Sequence, residues 1–212
     1  MSRETPSLGW APEDPAELKR FPDRPLLRRK NLFRVVRRGR CPWWFGNSMS
    51  GRFDLPDPWG TCYLAGDPVG ALLEILGSDR KGGIAAAEFF AKRQLRELQV
   101  HRDYTFGDLT SRRAAGFGIT SEIGTIVPYE MPQAWAVKLR AAGFEGVVYW
   151  LRHDPSRAVG WALFGRAGER KRWRRGREVP ISGDLLKRLW TDCRIAVLPI
   201  PAAADLTVLD DA

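Results

Sequence analysis

Apolar positions in this chain change period several times, and each change marks an element. Leu32–Val36 reads LFRVV, an apolar run broken only by Arg34, and predicts a first strand. Thr61–Ala65 (TCYLA) predicts a second. Between them, Gly39 to Gly60 holds Gly, Pro and the large aromatics Trp43, Trp44, Phe45, Phe53 and Trp59. Connections longer than about 12–15 residues inside a compact domain are usually functional or disordered. This one is too aromatic for comfortable disorder.

A helix follows the second strand. Asp67 is placed to cap it and Pro68 suits its first position. Val69, Leu72, Leu73 and Leu76 fall at i, i+3, i+4 and i+7, and Gly77 closes the element. Glu97–Val100 and Tyr104–Leu109 predict further strands, and Met131–Ala142 a helix ended by Gly143. Gly146–Trp150 (GVVYW) and Ala158–Phe164 (AVGWALF) read as buried strands. Asp184–Asp192 is a last helix before a strand at Arg194–Leu198. Residues 1–30, rich in Pro and charge, read as an N-terminal arm with one short helix near Pro15–Arg20. No internal repeat is visible. Strands flank the helices without regular βαβ alternation, which predicts an α+β fold with a split mixed β-sheet.

Length and composition narrow the class. A chain of 212 residues, 44% apolar and 28% charged, suits one sizeable domain rather than two small ones. The first residues contain no apolar run of a secretory signal, and no window approaches the ~18 apolar residues of a membrane span. Cys41, Cys62 and Cys193 are odd in number and far apart. With only two histidines they form no metal site, and a cytoplasmic location fits them best. The net charge of +9 gathers at 20–40 and at 166–177, RAGERKRWRRGR. A solvated or partner-facing basic surface is favoured over direct nucleic-acid recognition, since no nucleic-acid motif accompanies the charge. Nine tryptophans promise either buried aromatic area or an aromatic-lined cleft.

Candidate chemistry is thin position by position. Glu74 lies nearly opposite the leucine stripe, beside Gly70, Ala71 and Gly77. Periodicity alone favours a solvent-facing glutamate, although its small neighbours leave room for a ligand. Arg34, inside an apolar strand, needs a carboxylate, a phosphate or an open groove. Arg52 is a Gly-flanked arginine in the aromatic loop. Tyr63 alternates with Cys62 and Leu64, and core packing is its simplest role. His101 and His153 sit in no triad or metal spacing, and there is neither a P-loop nor a Rossmann glycine fingerprint.

In order along the chain these pieces say more. Phe33-Arg34-Val35, Gly51-Arg52-Phe53-Asp54, Gly60-Thr61-Cys62-Tyr63-Leu64-Ala65 and Ala71-Leu72-Leu73-Glu74 resemble the first half of the RES-domain family. Phe106-Gly107-Asp108-Leu109-Thr110, Gln133-Ala134-Trp135-Ala136, Gly143-Phe144-Glu145-Gly146-Val147-Val148-Tyr149 and Ala162-Leu163-Phe164 resemble its second half. The match spans roughly 31–165, leaving 166–212 as a basic loop plus a C-terminal helix and strand on the same domain.

The resemblance implies an ADP-ribosyltransferase-like fold around an NAD cleft. Known RES proteins are toxins of bacterial toxin–antitoxin pairs that consume NAD by hydrolysis or phosphorolysis, or ADP-ribosylate a protein. Their antitoxins usually carry an Xre-like helix-turn-helix. On this mapping Glu74 is the catalytic carboxylate, with Arg52 and Tyr63 beside it. Arg34, Arg52, Tyr63 and Tyr149 bind NAD, which enters as substrate, and no metal is involved. One departure stands out: Leu151 occupies the place of the family serine; Ser156 is a poor substitute by position, and Ser48, Ser50 and Ser121 are speculative ones. That leaves a second reading open, a non-catalytic RES-like module that binds nucleic acid or an acidic partner.

Overall fold

The computed structural model describes residues 7–77 and 83–199. Twelve strands are described: β1 (Asp23–Leu26), β2 (Leu32–Arg37), β3 (Trp44–Phe45), β4 (Trp59–Ala65), β5 (Ile84–Ala86), β6 (Arg93–Leu98), β7 (Tyr104–Asp108), β8 (Gly146–Trp150), β9 (Val159–Arg166), β10 (Gly168–Glu169), β11 (Arg177–Val179) and β12 (Ala196–Leu198). The helices are α1 (Pro68–Leu76), α2 (Ala87–Ala91), α3 (Glu130–Ala141) and α4 (Asp184–Cys193).

Eight strands form one sheet in the order β1-β7-β8-β9-β4-β2-β6-β11. Only β7 and β8 run parallel, so the sheet is mixed. The expected split is visible in the register. β4 pairs with β9 from Trp59 to Ala65, and β2 with β6 from Leu32 to Arg37. Between β2 and β4 a single pair, Phe33 with Ala65, joins the two halves. The sheet therefore opens beyond that pair, and α1 leaves β4 at the opening.

The α1 capping follows the sequence: Asp67 accepts the N–H of Gly70 at 2.9 Å. Gly77 takes a positive φ of 50° as the helix ends. Alternation along β4 separates two cores. Tyr63 and Ala65 pack with α1 and α3, while Cys62 and Leu64 join Trp43, Phe45 and Trp161 on the other face.

Residues 7–30, the expected N-terminal arm, are woven into the fold, with a short 3-10 helix over Pro15–Arg20. Leu18, Phe21 and Leu26 are buried, β1 pairs with β7 at the sheet edge, and Gly9 O accepts from Trp135 Nε1 at 2.9 Å. The strand was hidden because it is short, charged and carries Pro25, a residue that an edge position tolerates. The expected strand at 97–100 instead spans Arg93–Leu98, where burial does not alternate strictly because adjacent Gln94 and Leu95 are both buried. After the basic loop, β11 extends the sheet on β6, and Leu185 and Leu189 of α4 enter the main core. No described helix is long and apolar enough to cross a membrane.

Candidate functional site

A cavity of about 270 Å³ lies at the opening between β2 and β4, lined among others by Arg34, Tyr63, Glu74, Tyr149 and Leu151. Glu74 is half-buried rather than solvent-facing. Its Oε1 accepts the backbone N–H of His153 at 2.8 Å, and among the described residues its other oxygen has no partner. The small neighbours explain the burial. A Cβ on Gly70 would stand 2.7 Å from Leu151 Cδ1, so the glycine leaves room for the Leu151 side chain to lie against this face.

Tyr63 links the cavity wall to the loop before β4. Its hydroxyl donates to Asp54 Oδ1 at 2.9 Å and accepts the N–H of Phe53 at 2.8 Å. Asp54 Oδ2 accepts the N–H of Gly51 at 2.9 Å, and Thr61 Oγ1 donates to Phe53 O at 2.7 Å. Gln133 of α3 clamps the same turn from outside, donating to both Met49 O and Gly51 O at 2.9 Å. Burial, then the nearby Asp54 carboxylate, pushes the Tyr63 phenol well above its ordinary value, so it remains a donor.

This turn delivers Arg52 to a buried position behind the cavity. Its guanidinium donates to Ile126 O at 2.8 Å and lies 4.6 Å from the centre of the Tyr129 ring. Burial lowers its pKa first, and the positive charge of Arg152 lowers it further, against the raising influence of Tyr129, Tyr149 and Glu74. Arg52 is therefore near Glu74 and Tyr149 electrostatically without itself lining the cavity.

Tyr149 is buried at 6% exposure, and its hydroxyl makes no hydrogen bond among the described residues although it lines the cavity. Burial, then Glu74, raises its pKa far above the ordinary range. Arg34 is committed differently. Its Nη1 donates to Pro42 O at 2.7 Å, to Trp44 O at 2.9 Å and to the Cys62 sulfur at 2.8 Å. That nitrogen ties β2 to the aromatic loop, and Nε and Nη2 are left without a partner among the described residues. Leu151 is 4% exposed and packs against Gly70 and Gly160.

The structure thus gathers Arg34, Tyr63, Glu74 and Tyr149 at one cavity, with Arg52 just behind. Within the aromatic loop, Trp43, Phe45 and Phe53 are core residues. Ser48 and Ser50 are exposed and 2.6 Å from each other, while Ser121 and Ser156 line other pockets. Sequence reasoning missed the anchor of Glu74, because a backbone N–H carries no residue-type signal. It also missed Asp54 as the partner of Tyr63. Among the described residues no group of His, Cys, Asp and Glu is placed to hold a metal.

No curated protein matches the chain. Among solved structures, it is similar to a chain in the crystal structure of the M. tuberculosis MbcT–MbcA toxin–antitoxin complex. The TM-score is 0.60 at 16% identity, over 82% of this chain and 94% of that one, a likeness of fold. A family model for the RES domain matches residues 31–182, well over half of the sequence, and the chain belongs to the RES-domain family.

Proposed function

We propose that the chain consumes NAD by breaking its nicotinamide–ribose bond, with Glu74 as the catalytic carboxylate. The observation that carries this is the state of Glu74: one oxygen fixed by the His153 N–H, the other open beside a cavity walled by two tyrosines. Nicotinamide leaves as a neutral amide, because the pyridinium already bears the positive charge. No general acid is needed, so one carboxylate does the work for which typical glycosidases use two. The ribose approaches an oxocarbenium ion, and a fixed carboxylate beside that sugar stabilises the charge as it develops.

The remaining groups serve binding. The cavity, about 270 Å³, is sized for the nicotinamide–ribose end, and the rest of the dinucleotide lies outside it. The charge of Arg152 lowers the pKa of Arg52, an arrangement that a pyrophosphate relieves. Arg34 offers only Nε and Nη2, since Nη1 is held by the protein. Tyr149 presents a protonated hydroxyl to the ribose, and Tyr63 lines the nicotinamide side.

Family membership and the fold likeness to a chain of a toxin–antitoxin complex support a toxin role with an antitoxin as partner. That the antitoxin is Xre-like follows from the family resemblance, and a cytoplasmic setting from the scattered cysteines. The test is direct. Purified chain is incubated with NAD, with and without phosphate, and free nicotinamide is followed. Release in both supports hydrolysis, and release only with phosphate supports phosphorolysis. Transfer of ADP-ribose to a protein, seen by mass spectrometry with no net hydrolysis, would make the enzyme a transferase. Absence of nicotinamide release both with and without phosphate, with no protein modified, overturns the proposal.

A further inference from the structure

The basic segment at 166–177 has no place in the NAD cavity, which lies at the Ala65 end of β4. It borders a second cleft of about 470 Å³ at the Trp59 end of the same strand. Six residues at ~3.3 Å each separate the two sites by roughly 20 Å. The cleft is lined by Trp59, His101, Arg102, Arg140, Arg170 and Trp173, among others.

Its aromatic groups are held by the fold. Trp173 packs edge-on against Trp43 at 5.1 Å and Phe45 at 5.9 Å between ring centres, and Trp43 Nε1 donates to Arg174 O at 2.7 Å. The loop is pinned by this contact, and the half-buried Trp173 lies 4.4 Å from the His101 ring. Burial, then the charge of Arg102, lowers the His101 pKa, which favours the neutral ring.

Two of its three arginines lack acidic partners among the described residues. The Arg140 guanidinium lies 3.3 Å from the centre of the Trp59 ring, and among the described residues it makes no ion pair or hydrogen bond. Arg170 lies 4.7 Å from the Phe45 ring and donates only to the carbonyls of Glu169 and Arg166. Arg102 alone is neutralised, by Glu145 at 2.5 Å. Beyond the rim, Lys171, Arg172, Arg174 and Arg175 are exposed, and none is ion-paired among the described residues. Two uncompensated guanidinium groups beside stacked rings, continued by a track of four cations, match alternating phosphates and bases.

We propose that this cleft binds single-stranded nucleic acid, with a base against Trp173 and His101 and phosphates on Arg140, Arg170 and the basic track. An acidic polypeptide would use the cations and leave the rings idle. A free mononucleotide would use the rings and leave the outer track idle. Charge alone favoured a solvated surface; the stacking platform changes that balance. The inference is independent of NAD chemistry.

The test uses the full chain and a labelled oligothymidylate of about eight nucleotides, a length within the usual site sizes for such surfaces. Binding is expected to weaken with salt, with a log–log slope near −0.7 for each phosphate neutralised. An abasic phosphodiester of equal length is expected to bind roughly tenfold less tightly, through loss of stacking. Arg140→Ala with Arg170→Ala is expected to weaken the oligomer by roughly tenfold or more, reading two lost phosphate contacts. Because Trp173 is part of the core, the exposed set K171A, R172A, R174A and R175A provides a second variant that leaves packing alone, with the same direction expected. Glu74→Gln is expected to leave oligomer binding unchanged. Equal binding of the abasic strand or of polyglutamate, or a mononucleotide matching the oligomer, would overturn the proposal, as would indifference to both sets of substitutions.

Discussion

The Tyr63 hydroxyl donates a hydrogen bond to Asp54 Oδ1 at 2.9 Å while the same oxygen accepts the N–H of Phe53 at 2.8 Å, so one side chain closes the turn that carries Arg52. Gly51 makes this possible, since a Cβ there would stand 2.6 Å from the Tyr63 hydroxyl and closer still to Asp54. Tyr63→Phe keeps the ring on the cavity wall but strands a buried acceptor and donor. It is expected to cost about 1–3 kcal/mol, lowering Tm by about 2–4 °C per kcal/mol. NAD turnover should fall as well, because the Arg52 turn loosens. A thermal melt unchanged from wild type would show that the turn is held without this hydroxyl.

Glu74→Gln separates fold from chemistry. The amide oxygen can still accept from His153, so the melting temperature should stay within a few degrees of wild type. The charge that stabilises the ribose is gone, and nicotinamide release should fall by about 10²–10³-fold, the size seen for removal of one preorganised electrostatic group. Release at the wild-type rate by the mutant removes Glu74 from the reaction.

Much of this arrangement was legible before any coordinates, and the misses have physical causes. Asp67, Pro68 and the leucine stripe specify α1 locally, and the helix appears where they place it. Glu74 was drawn as solvent-facing because a helical wheel knows nothing of the segment after β8, which returns from 79 residues away to cover it. Sequence asks of Arg34 a carboxylate, a phosphate or an open groove, and it does line the cavity; that the carbonyls of Pro42 and Trp44 hold its Nη1 is not legible, because carbonyl direction is invisible in residue type. The opening between β2 and β4 is a matter of register between distant strands, which local pattern does not encode.

Alkaline pH provides a third test. Burial raises the phenols of Tyr63 and Tyr149 far above the ordinary 10.0, and that of Tyr104 to about 12. Folded values above unfolded ones mean that this stability is complete below pH 10.0, where neither state ionises, and is lost as pH climbs through the range between them. The thermal midpoint should therefore drop steeply above pH 10.0, coupled to three of the four tyrosines. Tyrosinate absorbance is the check: Tyr63, Tyr104 and Tyr149 should ionise only as the chain unfolds, and their ionisation in the folded state would contradict the buried positions.

Leu151 decides whether this member of the family works without a hydroxyl at that position. Its two methyl groups fill space that Gly70 and Gly160 leave open, with hypothetical Cβ atoms there at 2.7 and 2.6 Å from them. Leu151→Ser removes that filling and buries a hydroxyl, so it should destabilise by about 2–5 kcal/mol, as large-to-small core changes do. If Tyr149 already supplies the hydrogen bond that orients the ribose, the serine adds nothing, and turnover per folded molecule should not rise. Tyr149→Phe, which keeps the ring packed on Phe53 at 4.9 Å, should instead slow turnover by about 3–10-fold, the worth of one hydrogen bond. Both rates are measured at a temperature where circular dichroism shows each variant folded. A rise of an order of magnitude in the serine variant, with Tyr149→Phe silent, would transfer the orienting role from the phenol to position 151.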